Sequence, residues 1–166
     1  MHLSSKSKGF MGSVPIVTGT VPLALGAGLA SKLQKSGDIA ISYLGDGATE
    51  EGVFHESLNF ARVSNIPILF VVENNLFSSH MHMSLRQPLN TINRFAKAHK
   101  IETKLVDGND VVEIYRTSSE FIRKMRLKPE PYLIEAITYR WFGHVDWRED
   151  IDAVSYTHLT LPTTNS

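Results

Sequence analysis

Two short polar clusters stand out because each follows an apolar run. Gly45-Asp46-Gly47 follows the run 39–44, and Glu73-Asn74-Asn75 follows the run 68–72. A carboxylate and a carboxamide oxygen are hard ligands, suited to magnesium or calcium. Magnesium keeps coordination positions for water and phosphate oxygens. Gly45 and Gly47 let the backbone turn sharply and approach a phosphate. A helix expected to begin after Ala48 would aim free amides at the same place and favour an anion. Either cluster alone is a common turn. Together they describe a metal-bridged diphosphate site with Asp46 and Asn75 as ligands.

Such a site requires two neighbouring strand tips, and the surrounding pattern supplies them. The runs 39–44 and 68–72 read as buried strands, the second nearly all β-branched and aromatic. Adjacent strands lie ~4.8 Å apart, which would bring the two tips into one crevice. A helix is expected over 21–34, with Pro22 in its first turn and Gly37 as its stop. A second is expected over 50–62, with Val53, Phe54, Ser57, Leu58 and Ala61 on one face. Further helices are expected over 90–99 and 111–127, an extended piece over 103–106 and a last strand over 131–138. The longer helix would turn Val111, Ile114, Tyr115, Ser118, Phe121, Ile122 and Met125 to one side. The alternation predicts an α/β fold: a mostly parallel sheet with helices on both faces and ligands at the strands' carboxyl ends.

Composition narrows the function. Lysine plus arginine equals aspartate plus glutamate, 17 against 17, which argues against nucleic acid and anionic membrane surfaces. Cysteine is absent, which excludes disulfides and thiolate chemistry. No apolar run approaches the ~20 residues that span a bilayer. A soluble, cytoplasmic protein is the expectation. Residues 1–150 are expected to form one domain truncated at both ends, and 151–166 a disordered or non-native tail.

The stretch GDGATEEGVFHESLNFARVSNIPILFVVENN resembles the thiamine diphosphate-binding motif, which opens with Gly-Asp-Gly and closes with Asn-Asn. The wider chain, about residues 1–148, resembles the alpha subunit of the first component of 2-oxo acid dehydrogenase complexes. That group includes the pyruvate, branched-chain and acetoin enzymes. MHL, IVTGTVPLALGAGLASK, the long motif, VDGND and ITYRWFGH fall in the family's order.

The resemblance implies thiamine diphosphate and Mg2+ as cofactors. It makes Asp46 and Asn75 side-chain ligands of the metal and the Phe77 carbonyl a third. Gly47 and Ala48 would give backbone contacts to the diphosphate, with Gly45 in the same turn. Ile16 and Val17 fall where the family's backbone meets the aminopyrimidine. His2 matches an entrance histidine, and His144 the second histidine of the mobile loop near the cofactor; both count as catalytic candidates. The implied activity is oxidative decarboxylation of a 2-oxo acid with acyl transfer to a lipoyl group. The implied partners are a beta subunit in a heterotetramer and a lipoyl-bearing acyltransferase. The alternatives are a transketolase-like transferase and an inactive fragment that needs a beta subunit.

The chain departs from the pattern in places. Phe142 stands where the family often has histidine, and Phe77 where it has tyrosine. His80 and Met81 replace small residues. The family's arginine ahead of Met-His-Leu would lie upstream of Met1. Outside the resemblance, His80 and His82 form a His-x-His pair whose default reading is a solvated loop. Glu50 and Glu51 read as first-turn residues that complement the helix dipole rather than as an acid/base pair.

Overall fold

A computed structural model describes residues 3–144. Position 2, with its histidine, and the 151–166 tail lie outside the described residues.

Four parallel strands form the main sheet: β3 (Ala40–Gly45), β4 (Ile68–Asn74), β8 (Tyr132–Ile137) and β7 (Glu102–Asp107), side by side in that order. β4 and β8 are central, and their apolar composition follows from that place. Ile68, Leu69, Phe70 and Val72 of β4, and Leu133 and Ile134 of β8, are buried because both faces of the sheet are covered. On one face lie α1 (Thr20–Gln34), α2 (Gly52–Val63) and the short α3 (Asn93–Ala98). Their side chains Val21, Leu25, Phe54, Leu58, Ala61 and Ala96 close over Leu44, Phe70 and Leu133. On the other face α4 (Val111–Leu127) packs Phe121 and Met125 against Leu69, Tyr132 and Ile134. No helix of the described residues is long and apolar enough to cross a membrane.

Several boundaries differ from expectation for identifiable reasons. α1 ends at Lys35, which adopts φ 55° and sends its N–H back to Lys32 and Ser31, so Gly37 is not the stop. The buried stripe of α4 runs through Thr117, Phe121 and Met125, while Val111 and Tyr115 are exposed. Ile114 packs against the same cluster, so those two lie off the buried face of the helix, not ahead of it. Asp110 caps α4 by accepting the N–H groups of Val112 and Glu113.

Two hairpins carried no sequence signal. β1 (Leu3–Ser5) pairs with β2 (Phe10–Ser13) ahead of α1. β5 (Phe77–Ser78) pairs with β6 (Met81–His82) beside the β4 tip. Strands of two to four residues are too short to show a period.

A surface ion cluster ties α4 to β7. Glu120 bridges Lys104 at 2.5 Å and Lys124 at 2.9 Å, and Lys124 also reaches Glu102. Hydrogen bonds from Lys104 and Lys124 hold the Glu120 carboxyl down at about 2. A carboxyl depressed in the folded chain stabilises it above the unfolded value and loses that contribution as pH falls toward 2. Glu120→Gln should therefore flatten the acid limb of a stability-versus-pH curve, most visibly at low salt and only modestly for so exposed a group. Superimposable wild-type and variant curves would show that the cluster contributes nothing.

Candidate functional site

The site forms at the carboxyl ends of β3 and β4. Their parallel register sets Ala40 opposite Ile68 and Gly45 opposite Glu73, so the two strands end level. Asp46 and Asn75 are the next polar positions on each tip. The backbone amides of Asn75 and of Asp46 itself lie close enough to the Asp46 carboxylate to favour its charged form. The two tips thus lie side by side.

Asp46 is 1% exposed. Its Oδ2 accepts from Arg86 Nη2 at 2.5 Å, and Arg86 Nη1 bonds Glu50. Burial pushes the Asp46 carboxyl above its ordinary value; the Arg86 guanidinium and the backbone amides pull it down without cancelling that effect. Gln87 Nε2 adds a second bond to Glu50 at 2.8 Å. Glu50 is therefore an ion-pair partner in this network, and Glu51 precedes α2 with extended backbone.

The turn after β3 is a 3-10 turn over Asp46–Glu50, and α2 starts only at Gly52. The expected helix start after Ala48 is corrected accordingly. The Thr49 hydroxyl donates to the Asp46 carbonyl at 2.6 Å and holds the chain in the tighter turn. Gly47 lies against the β5–β6 hairpin: a Cβ there would sit 2.4 Å from Ser78 Oγ and 2.8 Å from Ser78 Cβ. No side chain fits, and the backbone of 47 meets the hairpin directly. The Thr18 hydroxyl donates to the Ala48 carbonyl at 2.9 Å. That bond ties the loop carrying Ile16 and Val17, both more than 60% exposed, to the same turn.

The second tip continues through two side-chain turns. Asn74 Oδ1 accepts from Leu76 N at 3.0 Å, and Asn75 Oδ1 accepts from Phe77 N at 2.9 Å. Leu76 takes φ 68°, an unfavourable value for a branched side chain, and reverses the chain there. Phe77 is buried and its ring packs edge-on against His82. His82 Nδ1 contacts Ser84 Oγ at 2.9 Å. Among the described residues no three histidine, cysteine, aspartate or glutamate side chains gather as a metal site. His55 is half-buried, with its ring 4.6 Å from that of Phe95. His144 and Phe142 are exposed, and His144 joins none of the contacts around Asp46.

A hard divalent cation fits this donor set. A carboxylate offers about four lone-pair positions, and Arg86 Nη2 takes one on Asp46. A carboxamide oxygen offers two, and Phe77 N takes one on Asn75. Oxygen capacity therefore remains on both tips, next to the Gly47 backbone.

Reading the residues alone missed Arg86, Gln87 and Glu135. The first two meet Asp46 and Glu50 from about 40 positions along the chain, a relation no local pattern carries. Glu135 did leave a signal: a lone carboxylate inside the apolar run YLIEAI.

The family model for the dehydrogenase E1 component matches residues 1–156. The chain is 36% identical over 146 residues to the alpha subunit of acetoin:2,6-dichlorophenolindophenol oxidoreductase from Bacillus subtilis, covering 88% of this chain and 44% of that protein. It is 39% identical over 132 residues to the 3-methyl-2-oxobutanoate dehydrogenase alpha subunit of Mycobacterium tuberculosis, covering 80% and 36%. It is 31% identical over 144 residues to the pyruvate dehydrogenase E1 alpha subunit of Rhizobium meliloti, covering 87% and 41%. The chain spans less than half the length of these relatives. Among solved structures, transketolase from Campylobacter jejuni superimposes with a TM-score of 0.61 at 20% identity, over 75% of this chain and 20% of that one, a likeness of fold. With its parallel sheet and its paired strand tips, the chain belongs to the dehydrogenase E1 component family.

Proposed function

We propose that this chain is the diphosphate-binding part of a thiamine diphosphate-dependent 2-oxo acid dehydrogenase. The carrying observation is that β3 and β4 pair in parallel and end level, which sets the Asn75 backbone amide beside the buried Asp46 carboxylate. In this reading Asp46 and Asn75 hold Mg2+ by their side chains and Phe77 by its carbonyl. The backbone at Gly45, Gly47 and Ala48 approaches the diphosphate. The loop of Ile16 and Val17 lies along the aminopyrimidine, and His2 and His144 serve the reacting end.

Bound thiamine diphosphate supplies the carbon chemistry of 2-oxo acid decarboxylation. This chain's part is to neutralise and fix the diphosphate. A buried carboxylate attracts the metal strongly because little water screens it. The Ser78 contact at Gly47 holds the turn in one place. A beta subunit would complete the pocket, and the acyl unit would pass to the lipoyl group of an acyltransferase, with the cytoplasm as the setting. Relatives named as acetoin, branched-chain and pyruvate enzymes all support an oxo-group substrate.

Calorimetric titration of thiamine diphosphate and magnesium into the chain assembled with a beta subunit tests the reading. Asp46→Ala should abolish measurable cofactor binding while the fold survives, because Arg86 keeps Glu50 as a partner. Binding equal to wild type would end the assignment. Lipoamide reduction by a 2-oxo acid distinguishes this activity from ketol transfer between sugars.

A further inference from the structure

We propose that Glu135 is the positioning residue for the loop that carries the candidate metal ligands. Glu135 is 0% exposed and lies on β8, between Ile134 and Ala136 in an otherwise apolar strand. Burying a carboxylate is costly unless donors surround it. Here three do. Oε1 accepts from Asn74 Nδ2 and from Ile92 N, and Oε2 accepts from Asn93 N, each at 2.8 Å.

Those donors bracket one segment. Asn74 is the last residue of β4, while Ile92 and Asn93 lead into α3. The loop between them contains Asn75, Phe77, the β5–β6 hairpin, Arg86 and Gln87. A single carboxylate thus pins both ends of the loop to the central sheet. The Asn74 amide, held by Glu135 through Nδ2, uses its oxygen to accept Leu76 N. That bond sets the positive-φ reversal from which Asn75 and Phe77 project. The residue after β8 also fixes Asn74, since Thr138 N donates to the Asn74 carbonyl at 2.9 Å.

A second path reaches the other tip. Glu135 holds the Asn93 N–H at the start of α3, and the next residue, Arg94, bonds Gln87 Oε1 through Nη2 at 2.7 Å. Gln87 bonds Glu50, Glu50 bonds Arg86, and Arg86 bonds Asp46. Both metal-bearing tips are referenced to one buried group that lies outside the proposed ligand set.

Glutamine at 135 has nearly the same size but only one acceptor oxygen. Its amide nitrogen would face an N–H donor whichever way it turned. Aspartate keeps the charge on a stem one methylene shorter. The link to metal binding rests on the cofactor reading above, so the test has two arms on the full chain. The first is amide hydrogen exchange. In Glu135→Gln, Leu76, Phe77, Ile92 and Asn93 should exchange about tenfold faster, while Phe70 and Ile134 keep their protection. Glu135→Asp should restore part of the difference. Unchanged exchange at the loop ends overturns the proposal, and so does an equal loss across the whole sheet. The second arm is the magnesium concentration needed for thiamine diphosphate binding in the assembly with a beta subunit. It should rise about tenfold in Glu135→Gln, with cofactor affinity at saturating magnesium close to wild type. An unchanged magnesium requirement overturns the link to the metal. If the wild type itself binds no cofactor, the proposed function falls and the exchange arm still decides the positioning role.

Discussion

Arg86→Met should remove about 3–5 kcal/mol of folding stability, read as a lower denaturant midpoint at unchanged slope. The Arg86 side chain is 6% exposed and ion-pairs with Asp46 at 2% and Glu50 at 36%. Its Nε also donates to the Met81 carbonyl at 3.2 Å, so one guanidinium joins the β3 turn to the β5–β6 hairpin. Methionine fills similar volume without the charge. It strands Asp46 in a buried place with Glu50 nearby and no cation between them. Removing one partner of a buried pair costs far more than the pair's net worth, because the remaining charge stays desolvated.

A double variant supplies the control. Arg86→Met combined with Asp46→Asn takes away the stranded charge, so the double variant should recover much of the loss. The two substitutions must be strongly non-additive, because the residues share a contact. Magnesium supplies a second check. A divalent cation that binds the folded chain beside Asp46 stabilises it by mass action. Magnesium should raise the midpoint of Arg86→Met more than that of wild type, where the guanidinium already neutralises the carboxylate. A single-variant loss below about 1 kcal/mol would show that Arg86 is not the charge partner that the buried geometry describes.

The parts of the fold that sequence reading reached are those whose signal is local. β3, β4 and β8 are apolar runs closed by turn residues, and α2 repeats its apolar residues Phe54, Leu58 and Ala61 at helical spacing. Asp46 and Asn75 were visible because each follows such a run. What was hidden depends on individual side-chain and backbone contacts that no apolar period encodes. The 3-10 turn at Asp46–Glu50 wins over a longer helix through the Thr49 hydroxyl and the hairpin pressed on Gly47. The β5–β6 hairpin owes its shape partly to Met83 N bonding the Leu76 carbonyl. Lys35 takes the left-handed position because the Ser31 hydroxyl binds the Asp38 carbonyl and folds the chain back before Gly37 is reached. In each case a specific contact overrides a propensity worth at most ~1 kcal/mol.

Gly47→Ala carries the next largest expected loss, and steric contact alone sets it. The added Cβ would lie 2.4 Å from Ser78 Oγ and 2.8 Å from Ser78 Cβ, closer than carbon and oxygen tolerate. Rotating the Ser78 hydroxyl relieves the first contact but not the second, so the turn or the hairpin must move. Overpacking of this kind costs about 1–3 kcal/mol. Gly47 has no positive φ, so backbone strain does not contribute and the clash can be tested by itself. Ser78→Gly removes both offending atoms. Gly47→Ala with Ser78→Gly should recover the stability lost by Gly47→Ala, apart from the added freedom of glycine at 78 in the unfolded chain, worth about 0.5–1 kcal/mol. Cofactor binding should separate from stability in this pair. A methyl group at 47 still stands where the diphosphate would approach the backbone, so the double variant should fold yet bind thiamine diphosphate with magnesium at least tenfold more weakly than wild type. Full recovery of binding along with stability would place the diphosphate away from Gly47.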